Sequence, residues 1–191
     1  MTWTIYSTKY MTVQYSDKII YKGKECPLRT YPYPMENYFE KYPDKRPKSE
    51  GCWTSLWRGY VATFEIKDNQ LFLKDIEIRI HTKNKRGDYR DSWESVIDEV
   101  FPNREILKID WLTETLTLRS GEIVDRIGYA SIYEHYTLLE IENGDLKNEK
   151  EFGHEEYKDF REKQFQACKS AAGFDDESFE SFLRIFEFTE L

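Results

Sequence analysis

Six residues in this chain have side chains suited to acid–base or clamping chemistry and stand beside aromatic neighbours. They are Arg58 in WRGY, Asp110 in IDWL, and Tyr129, Tyr133, Glu134 and His135 in GYASIYEHY. Carboxylates and an imidazole around one pocket can move protons, which makes Asp110, Glu134 and His135 the catalytic candidates. An arginine such as Arg58 can clamp a carboxylate or phosphate through two parallel hydrogen bonds. Trp57, Arg58, Trp111, Tyr129 and Tyr133 are the corresponding binding candidates. Nothing in the spacing forces these residues together. The structural alternative pairs Arg58 with Asp110 at a sheet end and puts the tyrosines in the core, since structural ion pairs mimic functional ones.

Other chemistries have less support. Ser131 lies in GYASIY, which is not the G-x-S-x-G nucleophile turn. Cys26, Cys52 and Cys168 are widely spaced and form no CxxC pair, so neither a zinc site nor a disulfide framework is indicated. None adjoins His81, His135 or His154 in sequence, as a Cys–His reaction would suggest. His154-Glu155-Glu156 is too compact for two metal ligands one helical turn apart, and acidic residues suit a helix N-terminus in any case. There is no P-loop and no GxGxxG, so no cofactor is expected. Lys83, Lys85, Arg86 and Arg90 surround Tyr89, and Lys45, Arg46 and Lys48 precede them, a composition that suits single-stranded nucleic acid. The acidic balance of the chain opposes that partner.

The net charge is −8, and it is unevenly spread. Residues 1–110 hold 19 Lys and Arg against 17 Asp and Glu, whereas residues 111–191 hold 9 against 19. An acidic C-terminal part disfavours nucleic acid and anionic membranes and suits a basic protein partner; the simpler account is a solvated acidic helical surface. A chain of 191 residues suits a single domain and buries roughly 70% of its unfolded surface without metal or disulfide. Aromatic content is 16%, so Tyr, Phe and Trp must build much of the core. The start, MTWTIYSTKY, lacks the basic and apolar regions of a signal peptide, and no apolar run is long enough to span a membrane. The cytoplasm is the default compartment.

The elements that would position these residues are mostly strands. Residues 2–25 contain short β-type runs broken at Ser16-Asp17 and Lys22-Gly23-Lys24, which predicts a small hairpin. Residues 26–52 hold five of the six prolines and many aromatics. They are expected to be a long loop that covers the sheet edge or lids a pocket, with a helical turn over Met35–Lys41 after Pro34. The stretch from Trp53 to Ile80 predicts two strands around a Lys67–Gln70 turn, with Tyr60, Ala62, Phe64 and Ile66 on one face. Apolar positions then change phase between Leu71 and Leu73 and Ile76, Ile78 and Ile80, which requires a β-bulge near Lys74-Asp75 or cover on both faces.

Downstream, Asp91 or Ser92 is expected to cap a short helix carrying Trp93, Val96, Ile97 and Val100, ended by Pro102. Glu105–Leu112 reads as a strand. Thr115–Leu118 and Ile123–Ile127 read as two more around a Ser120-Gly121 turn. Tyr133–Glu142 and Leu146–Phe152 flank Asn143-Gly144, a strong hairpin signal, and the second of these is polar enough to be an edge. Residues 154–191 read as a helical pair: His154–Ala172, with Tyr157, Phe160, Gln164, Ala167, Cys168 and Ala171 near one stripe, and a helix after Asp175 with Phe179, Phe182, Leu183 and Phe186 on one face.

The segments WRGYVATFEI with LFLKDIEI, then IDWLTETLTL, then GYASIYEHYTLLEIENGDL resemble a group of uncharacterised bacterial proteins. These share a WRGY-type strand opening, a DW turn, and a GY-x-S-x-YE strand followed by an NG or KG hairpin. The resemblance covers roughly residues 50–146. It implies that these segments form one unit, and it implies no activity.

The expected fold is therefore α+β, a twisted and mostly antiparallel sheet of about seven to nine strands with the C-terminal helices packed on one side. Two functions are consistent with the chain. One is a non-enzymatic binding protein of inhibitor or immunity type, whose acidic surface meets a basic partner. The other is a small hydrolase or transferase with its pocket near Arg58, Asp110 and His135, covered by the proline-rich loop.

Overall fold

The computed structural model describes residues 14–28, 30, 33–49, 51, 53–83, 89–102, 107–127 and 130–172. These form one nine-stranded, mostly antiparallel sheet with three helices, an α+β architecture. The first described strands are β1 (Asp17–Tyr21) and β2 (Lys24–Leu28), an antiparallel hairpin turned by Lys22 and Gly23. After α1 (Glu36–Lys41) come β3 (Tyr60–Lys67) and β4 (Gln70–Lys83), then β5 (Tyr89–Ser95), α2 (Ile97–Val100) and β6 (Leu107–Lys108). Two long strands follow, β7 (Glu114–Ile127) and β8 (Ala130–Glu142), then β9 (Asp145–Gly153) and α3 (His154–Ala172).

Strand β4 is the centre of the sheet. One of its edges pairs with β3, and the other is shared in turn by β9, β6 and β5. β1 lies beside β3 in parallel, with Ile19 opposite Phe64. The opposite arm runs β9, β8, β7. The sheet curls so that β2 lies against β7 without a ladder between them. Tyr60, Ala62, Phe64, Leu73, Ile76 and Ile78 of β3 and β4 thereby meet Leu116, Leu118, Leu139 and Ile141 of β7 and β8 in one core, which Met35 and Phe39 enter from α1 and the residue before it. A second, smaller cluster forms on the other face of β8, where α3 docks. Tyr157 stacks on Tyr136 at 3.9 Å, and Phe160 meets Phe152 at 5.0 Å.

The phase change in β4 is resolved by a bulge. Thr63 pairs with Asp75 and Phe64 with Leu73, so Lys74 is the extra residue, and Leu71 and Leu73 come to share the core face with Ile76 and Ile78. Three hairpins use the same two-residue device. Lys22-Gly23, Asp68-Asn69 and Asn143-Gly144 all have positive φ, the left-handed pair that matches strand twist. Gly144 is the most constrained, because a Cβ there would run into the backbone carbonyl of Ile109. The turn is pressed against residues 109–112, where the Gly144 N–H donates to Leu112 O at 2.9 Å.

Several expectations are corrected. Residues 91–95 belong to β5 rather than to a helix. β4 is 14 residues long and runs past the start of β3, so Arg79–Lys83 need ladder partners, which Tyr89–Trp93 supply. Only Ile97–Val100 is helical, with Val96, Ile97 and Val100 buried as the stripe predicts. Of the expected Glu105–Leu112 strand, the described residues form only Leu107–Lys108 before a turn. Ser120-Gly121 is not a turn but an irregularity within the single strand β7, where Gly121 takes φ +83°. Residues 24–28, partly assigned to the loop, form β2, and Pro27 is tolerated there because β2 ends the strand order. On α3 the docked residues are Tyr157, Phe160 and Phe165, whereas Gln164 and Ala167 face out. The helix expected after Asp175 lies outside the described residues.

Glycine 144 gives a direct test of the hairpin packing. Gly23→Ala places a side chain in open space and should cost only the left-handed conformer, about 1–2 kcal/mol. Gly144→Ala, which also meets the Ile109 carbonyl, should exceed about 4 kcal/mol or prevent folding. Urea unfolding of both variants distinguishes them, and equal losses would mean that the 109–112 turn yields.

A second test concerns Glu114, at the start of β7. Burial pushes its carboxyl above the ordinary carboxylate range, against a weak opposing bond from the Thr30 hydroxyl at 3.4 Å. A raised folded-state pKa gives stability that is present in acid and lost as pH rises through that value. Glu114→Gln should therefore be more stable than the parent at pH 7, and the difference should vanish near pH 4. Chemical denaturation at both pH values would show this, and an equal difference at both would refute it.

Candidate functional site

The loop into β3 determines which side chains face in. Leu56 is buried, Arg58 is buried, and Trp57 between them points outward with 66% of its surface exposed. A tight turn holds this alternation. The Leu56 N–H donates to Trp53 O and the Gly59 N–H to Leu56 O, both at 3.0 Å, and Gly59 adopts φ +84°. The Trp57 backbone N–H donates to Gln14 Oε1 at 3.1 Å. The Gln14 amide donates in turn to Thr54 O at 2.8 Å, and the Tyr15 N–H to Ser55 O at 2.9 Å.

Arg58 points into the molecule and meets Asp17, not Asp110. Its Nη2 donates to Asp17 Oδ1 at 2.8 Å, and the same oxygen accepts the Ala62 N–H at 2.8 Å. The side chains retain 4% and 0% of their exposure, so this is a buried ion pair. Burial pushes the Asp17 carboxyl above its ordinary range, while Arg58 and the Ala62 N–H pull it back. The Tyr33 ring lies 3.9 Å from the Arg58 guanidinium, and the Tyr60 ring 5.4 Å away. The Tyr60 hydroxyl donates to Glu36 Oε1 at 2.9 Å, and Arg46 grips both oxygens of Glu36 at 3.1 and 2.6 Å. Burial, with Asp17 and Glu36 nearby, pushes the Tyr60 phenol far above its ordinary value, so it stays a donor at any physiological pH. Among the described residues, Nε and Nη1 of Arg58 and Oδ2 of Asp17 have no hydrogen-bond partner.

A second constellation lies on the other face of β4. His81 and Arg79 both reach Asp91 on β5; His81 Nδ1 stands 3.0 Å from Asp91 Oδ1, and Arg79 donates to Oδ2. The Arg79 guanidinium sits 4.1 Å from the Trp53 ring and 5.7 Å from that of Tyr15. Tyr15 meets Trp93 edge to face at 5.2 Å. Trp53, His81 and Trp93 thus form an aromatic and charged surface under the Trp57 loop.

The remaining candidates are dispersed. Asp110 is exposed in the turn after β6. Trp111 is half-buried beside it, its indole N–H donating to Pro34 O at 3.2 Å and its ring 4.9 Å from Tyr38. Glu134 accepts the Glu122 N–H at 3.0 Å on the β7–β8 ribbon, next to the exposed His135. The Tyr133 N–H donates to the Tyr136 hydroxyl at 3.1 Å. Tyr129 lies outside the described residues. No described contact joins Arg58 to Asp110, Glu134 or His135. Among the described residues no group of His, Cys, Asp and Glu could hold a metal ion. No described helix is long and apolar enough to cross a membrane.

Sequence reasoning located Trp57 and Arg58 but missed Asp17, Tyr33, Glu36, Arg79 and Asp91. Asp17 is 41 residues from Arg58, a separation that carries no local pattern. Arg79 and Asp91 could have been found from their opposite charges, had Tyr89–Ser95 been recognised as the strand facing β4.

The buried pair is testable as a unit. Arg58→Met alone should cost about 3–5 kcal/mol by leaving an unpaired buried carboxylate. Asp17→Asn added to it should recover most of that loss, because the amide oxygen still accepts the Ala62 N–H. A double-mutant cycle in urea measures the coupling, and simple additivity would show that the two residues act independently.

Comparison with known protein families, curated proteins and solved structures finds no match.

Proposed function

We propose that this protein is a non-enzymatic binding module of inhibitor or immunity type, which recognises a basic protein partner through electrostatic steering. The observation that supports this is the set of exposed carboxylates on the β7–β9 arm. Glu122, Asp125, Glu140 and Glu142 are all exposed, and among the described residues no ion pair joins any of them to a cation. Residues 111–153 hold nine acidic against four basic side chains, whereas α3 holds four of each. Half of the excess negative charge of residues 111–191 is thus carried by the strand-forming residues 111–153, which hold their side chains in a fixed array, and none of it by α3. Fixed like charges raise the encounter rate with an oppositely charged protein and orient it.

Asp110 lies in the turn after β6 and Glu134 and His135 on β8, while Arg79, Asp91 and His81 are engaged with one another, as are Glu36 and Arg46. Their scatter over separate elements also favours binding over a hydrolase or transferase centred on Arg58, Asp110 and His135.

Affinity capture from the source cells should recover a stoichiometric partner of basic isoelectric point, released as salt rises. Glu140→Lys with Glu142→Lys should slow association by about tenfold or more at low salt and leave the melting temperature unchanged. Recovery of no partner, of an acidic one, or binding indifferent to salt would defeat the proposal.

A further inference from the structure

Asn143-Gly144 is the only Asn-Gly pair in the chain. This dipeptide is chemically labile, because glycine has no side chain to hinder attack by its own backbone nitrogen. In deamidation the Gly144 nitrogen loses its proton and bonds to the Asn143 side-chain amide carbon. Ammonia leaves, and a cyclic succinimide remains. Water then opens that ring to aspartate or, by cleaving the other carbonyl, to isoaspartate. Water is the only co-reactant. We propose that Asn143 is a latent deamidation site, which the fold holds unreactive and which reacts only when the turn between β8 and β9 opens.

The Asn143 side chain is exposed while Gly144 is buried, so protection must come from the nucleophile rather than from shielding of the amide. The Gly144 N–H donates to Leu112 O at 2.9 Å, and Gly144 O accepts the Leu71 N–H at 2.8 Å. On the other side, the Asn143 N–H donates to Thr113 Oγ1 at 3.0 Å. The peptide plane that must swing toward the Asn143 side chain is therefore tied to two neighbouring segments. It also has no room to swing, since the Gly144 Cα is pressed against the Ile109 carbonyl. Lys22-Gly23, a turn of the same left-handed kind, lies in open space, so turn type alone does not produce this hold. The two products differ in fit. Aspartate accepts the left-handed conformation that Asn143 adopts at φ +50°. Isoaspartate lengthens the backbone by a methylene in a turn without slack, so the opened hairpin cannot close on it.

The full chain is incubated at neutral pH in buffer and in denaturing urea, with conversion at Asn143 followed by peptide mass mapping and isoaspartate counted by enzymatic methylation. Conversion should be at least about a hundredfold slower in buffer, as for a site exposed only by local opening. At sub-denaturing urea, conversion and hydrogen exchange of the Gly144 N–H should accelerate together, since both need that N–H released from Leu112. Similar rates in buffer and urea overturn the proposal, and so does conversion while the Gly144 N–H stays protected from exchange. Asn143→Asp should melt with the parent, and the isoaspartate fraction of aged protein should melt lower. An isoaspartate fraction that melts with the parent would show that the turn has slack and that the hold is not as described.

Discussion

The ion pair between Asp17 and Arg58 is the constraint on which the rest of this structure depends. Two full charges removed from water must compensate each other closely, and geometry that separates them is heavily penalised. The pair therefore fixes where β1 lies along β3, a parallel neighbour joined by no local turn. Its influence extends outward through stacked and hydrogen-bonded groups. Tyr33 caps the guanidinium, Tyr60 borders it, and the Tyr60 hydroxyl carries the network to Glu36, the first residue of α1, and to Arg46 beyond its end. Residues 33–46 are thus tied to the sheet by polar bonds as well as by Met35 and Phe39 in the core. The proline-rich segment is a fastened cover, not a free lid.

The exposed Trp57 follows from the same constraint. In an extended, turning segment, adjacent side chains point to opposite sides, so a buried Arg58 and a buried Leu56 leave the indole nowhere to go but out. Stability and presentation are coupled here: the interaction that orders the interior also aims the surface residue. The exposed carboxylates of β7 and β8 belong to the other arm of the sheet.

Local signals in the sequence revealed the local structure. Asn143-Gly144, the phase change around Lys74, the helix over His154–Ala172 and the alternation of Tyr60–Ile66 each have a cause within a few residues, and each is present as expected. What was illegible depends on distant partners. Trp93, Val96, Ile97 and Val100 fit a helical stripe, but the ladder demands of β4 override it at Trp93. Ser120-Gly121 looks like a turn, but β8 is long enough to keep β7 running past it. Arg58 stands out in the sequence, yet its partner Asp17 lies 41 residues away, at a position whose local signal is only that of a turn. Asp110, Glu134 and His135 were grouped by chemical type, which has no bearing on distance in space.

The closing contacts of the curled sheet also bear on the order in which the chain can fold as it is made. The N-terminal hairpin contributes Ile19 and Leu28 to a core completed by Leu139 and Ile141. Lys22 at its tip reaches Glu149 on β9, and Thr30 bonds to Glu114. A nascent chain that has produced β1 to β6 therefore holds an open sheet with its apolar face uncovered, and it must wait for β7–β9 to emerge before that face is shielded. Such non-local closure is slow and leaves a partly made chain prone to association. Synthesis of this protein is thus most vulnerable late, in the interval between release of Lys108 and arrival of Gly153.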